Sequence, residues 1–120
     1  MTAESALTEQ REPVAEGEDH ALDALVGGDV EVADYKTTGT DELADEVAKR
    51  VSDRSAVLMA NHGLFAVGKD PKHVLHVAHL VERTAEIIWG ARQLGEIAPI
   101  PDEVNETFAG YYRFGRTGKF

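Results

Sequence analysis

The chain has 120 residues, 42% of them hydrophobic, with eleven glycines and no cysteine. That length supports one domain with its own core, and the missing thiols exclude a disulfide scaffold, a thiolate zinc finger and a cysteine nucleophile. The formal charge of −10 is concentrated in residues 1–50, where fourteen acids face only Arg11, Lys36, Lys49 and Arg50, so neither nucleic acid nor an anionic membrane finds a basic footprint.

Residues 1–18 are polar and acidic without apolar periodicity, and they read as a flexible leader. They lack the basic start and apolar centre of a signal peptide, and no apolar run approaches the ~20 residues of a membrane span. A cytoplasmic protein is expected. The domain proper is assigned to residues 19–112, and residues 113–120 form a tail with three bases, two phenylalanines and no acid. His20 to Val26 can make two helical turns, stopped by Gly27-Gly28. Val30 to Tyr35 alternates and predicts a strand. Thr40 is placed to cap a helix running to about Val51, with Asp41 and Glu42 at its positive end and Leu43, Val47 and Val51 as its apolar stripe.

Ser55–Ala60 and Gly63–Val67 are short apolar runs of strand length, separated by the turn Asn61-His62-Gly63. Asp70 as N-cap and Pro71 at the first position predict a helix from Pro71 to about Leu94. Its apolar stripe is Val74, Val77, Ala78, Val81, Ala85 and Ile88, and Gly95 closes it. After the extended Ile97–Pro101, a last short helix is expected from Asp102 to about Tyr112. The order β-α-β-β-α-α indicates an α/β domain with a small sheet.

Among residues able to carry chemistry, His62 is the most informative. A turn between two apolar strands holds its ring on a rigid scaffold, as metal-ligand and general-base histidines are often held, although Asn-His-Gly also serves simply as a turn. His73, His76 and His79 diverge by about 60° per step around the long helix, too far for one tetrahedral site. His20 stands alone. Gly63 to Lys69 has the GxxxxGK spacing of a phosphate loop, but Asp70 stands where a magnesium-holding hydroxyl belongs and the middle residues are strand-like. Ser5, Ser52 and Ser55 lack a nucleophile-elbow context. Tyr111, Tyr112, Phe114 and Phe120, with Arg113 and Arg116, could contact a ligand or pack on the domain or a neighbouring subunit.

Val32-Ala-Asp-Tyr35, Gly39-Thr40 with Glu42-Leu-Ala44, and the block Val57-Leu-Met-Ala-Asn-His-Gly-Leu-Phe-Ala-Val-Gly68 together resemble the class II aldolase/adducin family. So does the following helix, with Ala78, Leu80, Glu82 and Ala85 before Leu94-Gly95. The likeness runs from about His20 to Gly95. It implies a three-layer α/β/α sandwich with a mostly antiparallel sheet, usually assembled as an oligomer with sites at subunit interfaces. It also implies a zinc or similar divalent cofactor and a ketose-phosphate substrate cleaved or epimerised through an enediolate. His62 matches the family's Asn-His-Gly ligand. The family's His-x-His pair, catalytic glutamate and phosphate loops have no counterpart, and residues 1–18 contain no histidine. The chain thus resembles the C-terminal portion of such a domain behind an unrelated leader. Two expectations stand side by side: a metal-dependent sugar-phosphate aldolase or epimerase, and a non-catalytic homologue or assembly module.

Overall fold

The computed structural model describes residues 26–117, apart from the side chain of Thr117. The leader and the helical turns expected from His20 fall outside that range, Val26 excepted. Three strands and three helices follow: β1 (Val32–Ala33), α1 (Asp41–Arg50), β2 (Ala56–Met59), β3 (Gly63–Ala66), α2 (Pro71–Leu94) and α3 (Asp102–Thr117). The element types and their order are those read from the sequence.

β2 is the central strand. It pairs in parallel with β1, Val32 opposite Leu58, and antiparallel with β3, from Ala56 opposite Ala66 to Met59 opposite Gly63. The sheet is therefore mixed over these three strands. Alternation along β2 sends neighbouring side chains to opposite faces. Ala56, Leu58 and Ala60 join Val26, Val30 and Val32 against Val77, Val81, Ala85 and Ile88 of α2. Val57 and Ala33 meet Val47 of α1, flanked by Leu43, Val51 and Met59. Each face is thus covered by one helix.

The caps behave as the sequence predicts. Leu43 N donates to the Thr40 hydroxyl at 3.3 Å, and His73 N donates to the Asp70 carboxylate at 2.7 Å. Gly95 N closes α2 on Ala91 O. One side of α2 remains outside the core, where Leu75, Ile87 and Trp89 are each about half exposed.

Two expectations shift. β1 is shorter than Val30–Tyr35: its ladder to β2 ends at Ala33, whose carbonyl accepts from Ala60 N at 3.1 Å, and the next N–H, that of Asp34, donates to the Glu46 carboxylate of α1, 3.4 Å away. α3 runs one turn beyond Tyr112, and its end is tied to the loop before β2. Arg116 donates to the Tyr112 hydroxyl at 2.7 Å and to the carbonyls of Arg54 and Ser52 at 3.1 and 3.0 Å. The Tyr112 hydroxyl also shares a hydrogen bond with the buried Ser55 hydroxyl at 2.9 Å.

A chain of ion pairs joins β1, α1 and the approach to β2. Glu31 bridges Arg50 and Arg54 at 3.0 and 3.1 Å, Arg50 also meets Glu46 at 2.8 Å, and Arg54 meets Asp53 at 2.9 Å. The hydrogen bond from Arg50 holds the Glu46 carboxyl below its ordinary pKa, and the bond from Arg54 does the same for Asp53. A carboxyl with a depressed folded-state pKa stabilises the fold above its unfolded value of about 4 and loses that contribution as pH falls through the folded value. Urea unfolding between pH 6 and pH 3 should therefore show a loss of stability that Glu46→Gln reduces. Solvent screening limits the difference to about 0.5 kcal/mol at neutral pH. An identical pH profile for the variant would remove Glu46 from this account.

Candidate functional site

The residues around His62 are brought together by the parallel pairing of β1 and β2. Two parallel strands end on the same side of a sheet, so the loop after β1 meets the turn after β2. That turn is tight: Asn61 has φ of 61° and Gly63 has φ of 139°. Asn tolerates the left-handed region, and Gly63 adopts a conformation that few side chains accept. His62 N donates to Met59 O at 2.9 Å, which fixes the backbone beneath the ring.

The imidazole itself lies across the neighbouring loop. Nε2 is 2.9 Å from the carbonyl oxygen of Lys36, so it carries the proton and donates. Nδ1, 3.3 Å from the Thr38 hydroxyl, is then left to accept. The Tyr35 ring stacks on the imidazole with centroids 5.4 Å apart and planes 15° from parallel. Both ring nitrogens and one ring face are therefore engaged by residues 35–38, although the ring remains exposed to solvent. These partners lie 24 to 27 positions away in the sequence, and the signal that could have found them is the parallel β1–β2 register.

This arrangement can hold the loop before α1 against the β2–β3 turn, and it presents one imidazole to a ligand that displaces Lys36 O or Thr38. Among the described residues, no group of three or more His, Cys, Asp or Glu side chains is placed to hold a metal ion. A tetrahedral zinc site needs about three protein ligands and an open position. The described residues do not fit such a site by themselves.

The other sequence candidates are not gathered at His62. His73 packs at the start of α2, where its Nδ1 accepts from Lys69 N at 3.3 Å, while His76 and His79 face solvent. Gly63–Ala66 is strand, paired to β2, so the GxxxxGK spacing forms no phosphate cradle. Ser55 and Tyr112 meet at the opposite end of β2 from His62 and line a cleft of about 510 Å³ with Lys69, His73 and Arg116. No helix among the described residues is long and apolar enough to cross a membrane.

Comparison with known proteins adds four findings. The sequence profile of the Class II Aldolase and Adducin N-terminal domain matches residues 1–89, a range that takes in the acidic stretch 1–18. The chain is 39% identical over 88 residues to the 5-deoxy-D-ribulose 1-phosphate aldolase of Bacillus thuringiensis serovar kurstaki, covering 73% of this chain and 41% of that protein. It is 33% identical over 98 residues to the 5-methylthioribulose-1-phosphate/5-deoxyribulose-1-phosphate aldolase of Rhodospirillum rubrum, covering 80% and 44%. A solved L-fuculose 1-phosphate aldolase superposes with a TM-score of 0.84 at 37% identity, over 95% of this chain and 53% of that one. The chain spans about half the length of the relatives it matches.

Proposed function

Because the chain belongs to the class II aldolase and adducin family, we propose that it serves metal-dependent aldol cleavage of a sugar phosphate and contributes His62 to a composite metal site. The observation that carries this reading is the mounting of His62. A single imidazole stands on a tight turn at the end of two paired strands, in a chain whose relatives are named as sugar-phosphate aldolases. Its remaining metal ligands come from residues other than those described, in this chain or in a second copy of it.

The same reading extends to architecture. The mixed three-stranded sheet, with α1 on one face and α2 on the other, forms part of a three-layer α/β/α sandwich. The further strands of that sandwich add at the free edges to make a mostly antiparallel sheet. Free edges favour such pairing, and a homo-oligomer is the expected assembly.

A second reading is favoured by one specific observation. Both nitrogens of His62 are satisfied within the chain, by Lys36 O and Thr38 Oγ1. On that reading the imidazole is a fastening, and the chain is a non-catalytic homologue or assembly module.

Equilibrium dialysis of the 120-residue chain against zinc, with His62→Ala in parallel, separates the two. The first reading expects a bound ion, one per chain or one per set of copies sharing a site, with affinity reduced at least ~10-fold in the variant. Cleavage of 5-deoxyribulose 1-phosphate or L-fuculose 1-phosphate should fall with it. Zinc uptake that is absent, or equal in both proteins, leaves the second reading.

A further inference from the structure

The cleft at the far end of the β2–β3 hairpin is separate from His62. It opens beside Ser55 and Val67, the residues just outside the Ala56–Ala66 pair. Ser55 and His62 lie beyond opposite ends of β2, whose four residues alone span about 10 Å at the usual rise per residue. One wall is the segment from β3 into α2, carrying Lys69 and His73. The other is the last two turns of α3, carrying Tyr111, Tyr112 and Arg116.

The charge of this cleft runs against the rest of the molecule. In a chain of net charge −10, its lining holds two permanent cations and no acid. Lys69 is exposed, and its ammonium has no ion-pair partner among the described residues. The Arg116 guanidinium is positioned by three neutral oxygens, those of Tyr112, Arg54 and Ser52. Those bonds fix its direction without neutralising its charge. Asp53 pairs with Arg54 and also lies close enough to Arg116 to interact with its charge from outside the cleft lining, and Asp70 accepts from His73 N as the cap of α2.

His73 adds a directed donor. Its Nδ1 accepts the backbone N–H of Lys69, so the neutral ring carries its proton on Nε2. A point-charge ammonium, a fixed guanidinium and an imidazole N–H on opposing walls suit a compact multivalent oxyanion better than a planar carboxylate, which two donors satisfy. The volume of about 510 Å³ lies in the range of small-molecule sites and exceeds what an inorganic anion fills. Tyr111, half exposed, and the ring of Tyr112 offer flat apolar surface for the remainder.

The geometry points to this cleft as a binding site for a phosphate group, carried on a small organic phosphate monoester, distinct from the centre at His62. Phosphate is the shared chemistry of two sources, free phosphate and a monoester. Lys69 and His73 engage the phosphate oxygens, Arg116 supplies the field behind them, and the tyrosines hold the organic part.

Calorimetric titration of the full 120-residue chain with phenyl phosphate, inorganic phosphate and benzoate tests the assignment. Phenyl phosphate should saturate one site per chain, at least tenfold more tightly than benzoate. Lys69→Gln and His73→Gln should each weaken it by about tenfold, whereas His62→Ala should leave it unchanged. Lys69 is exposed, so its variant folds; circular dichroism verifies that for both. Tighter binding of phenyl phosphate than of inorganic phosphate assigns the site to a monoester, and equal affinity assigns it to free phosphate. Binding that is indifferent to Lys69→Gln and His73→Gln, no preference over benzoate, or loss of binding in His62→Ala overturns the proposal. The last control also separates it from the metal reading, which His62→Ala tests on its own.

Discussion

Leu58→Ala is expected to lower the free energy of unfolding by about 2–5 kcal/mol. Leu58 is fully buried on the central strand and belongs to the cluster that β2 forms with β1 and α2. The strand holds it between Val32 on β1 and Leu64 on β3. With ladders on both sides, the backbone has little room to collapse into the space left. A single small domain has about 5–15 kcal/mol in total, so a loss of that size moves the midpoint of a urea transition far toward zero denaturant. Met59 on the same strand is only partly buried, and Met59→Ala provides the internal scale. A Leu58 effect no larger than that of Met59 would contradict the placement of the core.

Gly27→Ala should be comparably damaging, and for a different reason. Gly27 has φ of 102°, and a Cβ there would stand 2.6 and 2.9 Å from two ring carbons of Tyr112 and 3.0 Å from Asp53 O. The ring cannot easily move aside, because its hydroxyl is held by Ser55 and Arg116. Backbone strain at such a φ costs about 1–3 kcal/mol for a residue with a side chain, and the collision adds to it. The expected relief is partial undocking of α3, since Ala109, Gly110 and Tyr112 are its buried residues. Limited proteolysis should then cut within residues 102–117 well before the rest of the domain, and the melting temperature should drop. A melting temperature equal to the parent's would mean that Tyr112 does not lie over Gly27. Because α3 forms one wall of the Lys69–Arg116 cleft, phenyl phosphate affinity should fall in step with undocking.

Local signals specified most of the secondary structure. The caps at Thr40 and Asp70, the Pro71 start and the Gly95 stop each rest on one or two neighbouring residues, and such chemistry reads directly from a sequence. β2 and β3 were equally visible, as short apolar runs of strand length on either side of the Asn61-His62-Gly63 turn. The truncation of β1 was not visible. It shows only in where the pairing with β2 stops, at Ala33, and in the contact of the Asp34 N–H with Glu46, twelve residues further on. The extension of α3 rests on Arg116 reaching carbonyls more than sixty positions earlier.

The site divides along the same line. That His62 sits on a turn between strands follows from two apolar runs and the Asn-His-Gly break. That Lys36 and Thr38 occupy its nitrogens does not, because it needs the parallel register of β1 on β2. The cleft was harder still. Ser55, Lys69, His73 and Arg116 are unremarkable one at a time, and only the docking of α3 puts them around one volume.

Trp89 decides how the stability measurements proposed above can be read. It is the chain's single tryptophan, and at 52% exposure on the outer side of α2 its indole already meets solvent in the folded protein. Unfolding the core therefore changes the surroundings of that fluorophore little, and intrinsic emission is a poor optical probe of whether Leu58 or Gly27 has been disturbed. The useful spectroscopic reporters are the amide signal of the three helices and the near-ultraviolet signal of Tyr112, whose ring is buried and fixed at its hydroxyl. The same exposure makes Trp89 a sensor of a different event: a second protein or another copy settling on the outer side of α2 would shift its emission to the blue while leaving helicity unchanged.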